Sequence, residues 1–229
     1  MSDSMFDYIA DGVWYHRAKY RFGALEFPHA VTVIRRRDGG LIIHAPAKLD
    51  DAIIDALKSL GEVSAIVWPS WWHDLYLHQW ADAYPEALLF AAPDLRHVVA
   101  GRPNSRILAD GVAIDADVEV IAVDGLNVWL DEYVFFHKPS KTLIVADLVV
   151  NVRPDLPFPT NAFFALMGAR SGPFVPWFYR TVARDKRGLR EQLDRIASLD
   201  FERLIVGHGD NILSDARSVF INAVDRLFR

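Results

Sequence analysis

The sequence predicts a single mixed α/β domain, and three observations carry that expectation. Hydrophobic residues make up 52% of the 229 positions and charged residues 24%, enough apolar surface to bury a sizeable core. Short β-prone apolar runs alternate with stretches of helical periodicity. No internal repeat, low-complexity tract or Gly/Ser linker divides the chain into pieces.

Val13-Trp14-Tyr15 and residues 30–34 are rich in β-branched and aromatic side chains, and Asp38-Gly39-Gly40 is a turn signal ahead of an apolar run at 41–44. Strand, turn and strand predict an opening hairpin. Residues 49–60 have helical spacing, with Asp50 or Asp51 as N-cap and Gly61 as the stop. A strand at 65–68, a helix at 73–84 and a strand at 88–91 follow. Residues 118–123 and 132–137 read as strands around a loop. Pro139-Ser140 turns the chain into a strand at 142–146 that ends at Asp147. A helix at 189–199, a strand at 204–206 and a closing helix at 214–228 complete the chain. Such alternation, with extra antiparallel strands in both halves, belongs to an α/β domain. The stretch at about 152–180 differs: it is rich in Pro, Phe and Trp and carries little charge. It is read as an apolar insertion packed over the core, with a lid, a dimer surface or a membrane-surface patch as the sharper alternatives.

Bulk properties remove several function classes. The formal net charge is −5 and both signs are interspersed, so no nucleic-acid partner is expected. The chain has no cysteine, which excludes disulfides, thiolate metal sites and a cysteine nucleophile, and fits a cytoplasmic setting. The acidic opening residues do not resemble a signal peptide, and no apolar run reaches the about 18 residues of a membrane span. There is no P-loop or Gly-x-Gly-x-x-Gly to bind a nucleotide cofactor, and neither Ser70 nor Ser140 stands in a nucleophile elbow.

What remains is a set of histidines and carboxylates where the strands should end, the place at which α/β sheets collect ligands. Pro69-Ser70-Trp71-Trp72-His73-Asp74 follows one strand, Asp147 a second, and Gly207-His208-Gly209-Asp210 a third. Imidazole nitrogens and carboxylate oxygens are ordinary ligands of zinc and of non-haem iron, and two His with one carboxylate leave a position open for water. These strand ends offer His73, Asp74, His78, Asp147, His208 and Asp210 as metal-competent or acid/base side chains. The glycines flanking His208 let its backbone turn tightly. Trp71 and Trp72 are candidate linings of a substrate pocket; Trp68 and Trp80 read as core. His137 reads as a surface or capping residue, and His16, His29 and His97 stand in no pattern.

The segment Phe135-Phe136-His137-Lys138-Pro139-Ser140-Lys141-Thr142-Leu143-Ile144-Val145-Ala146-Asp147-Leu148 resembles the metallo-β-lactamase superfamily segment in which a strand pair delivers a bridging Asp. Leu204-Ile205-Val206-Gly207-His208-Gly209 is similar to that superfamily's last metal-binding His segment. Within the superfamily, residues 135–143 and 73–80 most resemble the uncharacterised branch called DUF4336, and the likeness covers roughly residues 12–225. The resemblance implies a four-layer αββα sandwich of two similar halves with mixed sheets. It also implies His73, Asp147 and His208 as the metal ligands, with His44, Asp74 and His78 as candidate additions to a rearranged site. The superfamily motif His-x-His-x-Asp-His falls on Trp71, His73, Leu75 and Tyr76, so only its second His is kept. The His expected before Glu132 is replaced by residues 125–129, and the Asp at the end of the hairpin strand is His44. Leu75 replaces the carboxylate that binds the second ion, so the metal site is expected to be at most mononuclear. One zinc or iron ion, or none, is the cofactor expectation. The function expected is hydrolysis of a small ester- or lactone-like ligand. The alternatives are a non-catalytic ligand-binding domain that kept the fold and lost the metals, and an interaction protein whose 152–179 segment dimerises or meets a membrane surface.

Overall fold

A computed structural model describes residues 5–126, 131–169 and 172–229. In chain order the strands and helices are β1 (Asp7–Ala10), β2 (Val13–Phe22), β3 (Leu25–Arg35), β4 (Leu41–His44), α1 (Asp51–Leu60), β5 (Val63–Trp68), α2 (Leu77–Ala83), β6 (Leu88–Ala91) and β7 (Ser105–Ile107). The second half holds β8 (Val118–Val123), β9 (Glu132–His137), β10 (Thr142–Ile144), β11 (Val150–Asn151), α3 (Thr160–Met167), α4 (Phe178–Val182), α5 (Lys186–Ser198), β12 (Arg203–Ile205), β13 (His208–Gly209) and α6 (Ala216–Phe228).

Two mixed sheets are stacked between two helical layers. The first has seven strands in the order β1 to β7, antiparallel as far as β4 and parallel from β4 to β7. The second has four strands in the order β12-β10-β9-β8, with β10 and β12 parallel and the other pairs antiparallel. Between the sheets, Val13, Ile34, Ile42, Val67 and Phe90 of the first pack with Val120, Tyr133, Phe135, Ile144 and Ile205 of the second. On the outer face of the first sheet, Val33, Ile43, Ile66 and Trp68 pack against Ile53 and Leu57 of α1 and Leu77 and Trp80 of α2. On the outer face of the second, Ile121, Val134, Phe136 and Leu204 meet Leu189 and Leu193 of α5 and Phe220 and Val224 of α6. The four-layer αββα order expected from the sequence is the observed one. Strand β9 is buried along its whole length because it serves two layers: Tyr133 and Phe135 point between the sheets, Val134 and Phe136 toward the helices.

Local signals explain several element boundaries. Asp50 caps α1 by accepting from the Ile53 N–H, and the helix stops where the Gly61 N–H bonds Leu57 O. The helix expected over 73–84 is shorter. Trp71–His73 forms a 3-10 turn, Tyr76 sits in the left-handed region at φ 60°, and α2 begins only at Leu77. The helical spacing there spans two separate pieces, because a left-handed residue breaks the helical path. Strand β10 leaves the ladder after Ile144, and Ala146 and Asp147 run on beyond it. Residues 152–169 and 172–179 hold α3 and the start of α4, with Phe174 bridging Val150 of β11. Phe163 and Phe164 of α3 pack edge-on against Phe27 of β3. Among the described residues, no helix is long and apolar enough to cross a membrane.

Candidate metal centre

Three chain segments meet at one edge of the sandwich. His73 ends the 3-10 turn after β5, Asp147 follows β10 in the opposite sheet, and His208 lies on the short strand β13, paired with Val150. His208 reaches Asp147 because both flanking glycines allow close backbone approach. A Cβ on Gly207 would collide with the Ala146 carbonyl, and one on Gly209 with the Asn151 carbonyl. Gly209 also has φ +110°, a conformation that other residues rarely adopt.

The Asp147 carboxylate is shared. Its Oδ1 lies 3.0 Å from His208 Nε2 and its Oδ2 3.4 Å from His73 Nε2. The Ser70 hydroxyl donates to Oδ2 at 3.2 Å. The three residues offer ligand atoms that all lie within 4.8 Å of one another, and they could hold a metal ion. His208 Nδ1 is 2.6 Å from Pro28 O, and a carbonyl can only accept, so Nδ1 carries a proton and Nε2 is aimed at Asp147. His73 is buried, and its Nδ1 has no hydrogen-bond partner among the described residues.

Electrostatics follow from this crowding. Burial pushes the Asp147 carboxyl up, but His73 and His208 outweigh it and hold the group well below the usual carboxylate range. Burial lowers the His208 imidazole, and Asp147 more than reverses that, so its pKa stands above the ordinary value. His208 Nε2 and Asp147 Oδ1 face each other across 3.0 Å, a contact that a shared proton or a bound cation would satisfy. Two imidazoles and a carboxylate with one pre-oriented nitrogen suit zinc or non-haem iron in kind and number.

The other expected additions are elsewhere. His44, at the end of β4, is buried against Phe135, its Nε2 without a hydrogen-bond partner among the described residues, outside the three-residue cluster. Burial, and then His73, depress its pKa to about 3. Asp74 follows the 3-10 turn and is half-buried, its pKa raised chiefly by burial. His78 is exposed on α2 and receives a bond from Arg102 at 3.3 Å. Trp71 lies 5.8 Å ring to ring from His97, tilted by 33°, and packs on the helix-side core, while Trp72 is 55% exposed. The aromatic rings beside the cluster are Phe27 and Phe164, each 6.1 Å from the His208 ring. Of the loop at 125–129, where the superfamily's further His would fall, residues 127–129 lie outside the described residues.

Several neighbours carry no sequence signal. His29 of β3 lies 5.1 Å ring to ring from His73, its Nε2 donating to Ala45 O. Burial, His73 and His208 together lower its pKa to about 3. Glu132 opens β9, fully buried, and accepts from Ala146 N–H at 2.6 Å, from Asp147 N–H at 2.9 Å and from the Tyr179 hydroxyl at 3.1 Å. Burial, with Asp147 adding to it, pushes the Glu132 carboxyl up to about 8. A lone acid at the head of an apolar strand was the one available hint.

Solved structures of the same architecture exist. A metallo-β-lactamase from Pontibacter korlensis superposes with a TM-score of 0.66 at 15% identity, over 98% of each chain. The fold is that of the metallo-β-lactamases. The FIM-1 metallo-β-lactamase from Pseudomonas aeruginosa in its mono-zinc form gives a TM-score of 0.64 at 14% identity, over 96% of this chain and 94% of that one. A chemotaxis sensor, ODP, solved as a peroxy diiron species, gives 0.63 at 10% identity, over 97% and 93%. At these identities the likeness is one of metallo-β-lactamase fold. No protein-family model and no curated protein matches the chain.

Proposed function

We propose that this protein is a metal-dependent hydrolase of the metallo-β-lactamase fold with a mononuclear site, acting on a small ester- or lactone-like substrate. The observation that carries the reading is the convergence of His73, Asp147 and His208 from three separate segments, with their ligand atoms within 4.8 Å of one another. Leu75 stands where the superfamily motif supplies the second ion's carboxylate, which supports a single ion. The mono-zinc and diiron neighbours support zinc or iron as the ion. Residues 135–143 and 73–80 support placement in the DUF4336 branch.

His73, Asp147 and His208 would hold the ion, and a bound ion supplies Lewis acidity toward a substrate carbonyl. The Pro28 carbonyl keeps the His208 proton on Nδ1 and so presents Nε2. The Ser70 hydroxyl holds Asp147 Oδ2, restricting rotation of the carboxylate. Phe27 and Phe164 keep water away from one side of His208 and give an entering ligand an apolar wall. A second reading, a binding domain without metal, draws on the 3.0 Å contact by which Asp147 and His208 satisfy each other without a cation.

The test is metal analysis of protein purified without chelator. The hydrolase reading expects about one equivalent of zinc or iron in wild type and loss of at least ten-fold in Asp147→Ala, because the carboxylate touches both imidazoles. Wild-type protein without metal, and unable to take up added zinc, would rule the reading out in favour of the binding domain.

A further inference from the structure

We infer that Glu132 is a positioning residue for Asp147, linking the end of the 152–179 insertion to the metal-binding carboxylate. The inference rests on the metal reading above and extends it to a buried acid that none of the ligand motifs contains.

The starting point is a gap in the backbone pairing. Strand β10 stops at Ile144, and Val145 N–H still bonds Ile205 O at 3.0 Å. Beyond it the chain enters a buried turn where Ala146 and Asp147 have no sheet partner for their N–H groups. Buried backbone donors without partners are costly, and here a side chain supplies both acceptors. Glu132 Oε1 takes Ala146 N–H and Oε2 takes Asp147 N–H, one oxygen for each consecutive donor. With both N–H groups fixed, the Asp147 Cα–Cβ direction is fixed, and its oxygens fall between His73 and His208.

Two further contacts tie this clamp to its surroundings. The Tyr179 hydroxyl donates to Oε2, and Tyr179 belongs to α4, at the end of the insertion. The Glu132 backbone pairs with Ser70, whose hydroxyl donates to Asp147 Oδ2. Glu132 therefore touches the loop that carries Asp147 through its side chain, and the loop that carries His73 through its backbone. A purely packing residue needs no carboxylate here: Leu would fill the space and leave three donors unsatisfied. Glutamine cannot substitute either. Whichever way its amide is turned, an NH2 group faces one of the two backbone N–H donors.

The experiment compares wild type, Glu132→Gln and Tyr179→Phe, first metal-free and then titrated with cobalt(II) chloride. In metal-free protein, amide exchange at Ala146 and Asp147 should speed up at least ten-fold in E132Q relative to the rest of β9 and β10. The cobalt(II) dissociation constant of the folded protein should rise about 10–100-fold, with an altered visible spectrum, as loss of an outer-shell partner predicts. Tyr179→Phe, which keeps the carboxylate and loses one hydrogen bond, should weaken cobalt(II) about five-fold. A folded E132Q with wild-type affinity, spectrum and Asp147 exchange overturns the inference while leaving the metal reading intact. If E132Q does not fold, unchanged cobalt(II) affinity in Y179F overturns it. Wild-type protein that binds no cobalt(II) overturns the metal reading and the positioning role together.

Discussion

Four histidines near the centre behave differently because their partners differ. His208 has Asp147 in front of it and Pro28 O behind, so its charged form is favoured. His29 and His44 are buried with no carboxylate in contact among the described residues, and burial chiefly lowers both to about 3. His73 is buried between these two groups, with Asp147 on one side and His29 on the other. The sign of the pH dependence follows. A histidine with a depressed folded pKa is protonated first in the unfolded chain, so its contribution is intact above about pH 6.5 and is lost as pH falls toward 3. Asp147, also depressed, adds a loss further down the acid range, whereas His208, raised, favours the fold until pH climbs through its folded value. Glu132, held up at about 8, works the other way: its carboxyl keeps a proton in the fold that the unfolded chain gives up above about pH 4.5. Metal-free protein is thus expected to lose stability below about pH 6.5 with a net slope approaching one proton, about 1.4 kcal/mol per pH unit, two protons from His29 and His44 less one from Glu132. Urea unfolding between pH 7 and pH 4 measures the slope, and His44→Gln should remove one proton from it. A flat profile over that range would show that the two histidines are not both held neutral.

At the scale of elements, the site depends on short pieces more than on long ones. Strand β13 has only two residues, yet it carries His208 and is held by β11, β3 and two glycines. Helix α3 carries Phe164, which is 3% exposed and packs with Val150 and Phe174 beside His208. Phe163 and Phe164 of α3 pack against Phe27 of β3. Elsewhere in the insertion Phe158 is 84% exposed and Leu166 69% exposed. Phe164→Ala should cost about 3–5 kcal/mol if the cavity stays open, less if α3 collapses inward. In the same variant a chelator should strip bound metal faster, since one wall of the site is gone. Equal extraction rates in the variant and wild type would show that α3 does not limit access. The boundary at His73 marks where periodicity misleads: residues 73–84 have helical spacing, but Tyr76 takes a left-handed conformation that separates the 3-10 turn from α2. Propensity gives no sign of this, because aromatic residues seldom adopt such a φ.

At the scale of the molecule, the inter-sheet layer joins the two halves. Phe135 is fully buried there among side chains from both sheets. We propose that the 229 residues form one domain on this account. Phe135→Ala should then destabilise by about 3–5 kcal/mol and lower a single transition, seen alike by circular dichroism and tryptophan fluorescence. Two separate transitions in wild type would mean that the halves fold independently.

The order of strands and helices was legible from the chain because it rests on local regularities: strand-length apolar runs, helical periods and Asp50 at a cap; the αββα layering followed from that order together with the superfamily resemblance. Strand-end placement pointed to a wider set that included Asp74, His78 and Asp210, and the superfamily resemblance singled out His73, Asp147 and His208 as the candidates. Glu132, His29, Ser70, Phe27 and Phe164 were not legible. Each looks ordinary among its sequence neighbours and acquires its role only through contact with a residue far along the chain: Glu132 with Asp147, His29 with His73, Ser70 with Asp147, and Phe27 and Phe164 with His208. Periodicity records which face of an element is buried, whereas the chemistry of a site depends on what that face is buried against, and packing between distant segments alone sets that.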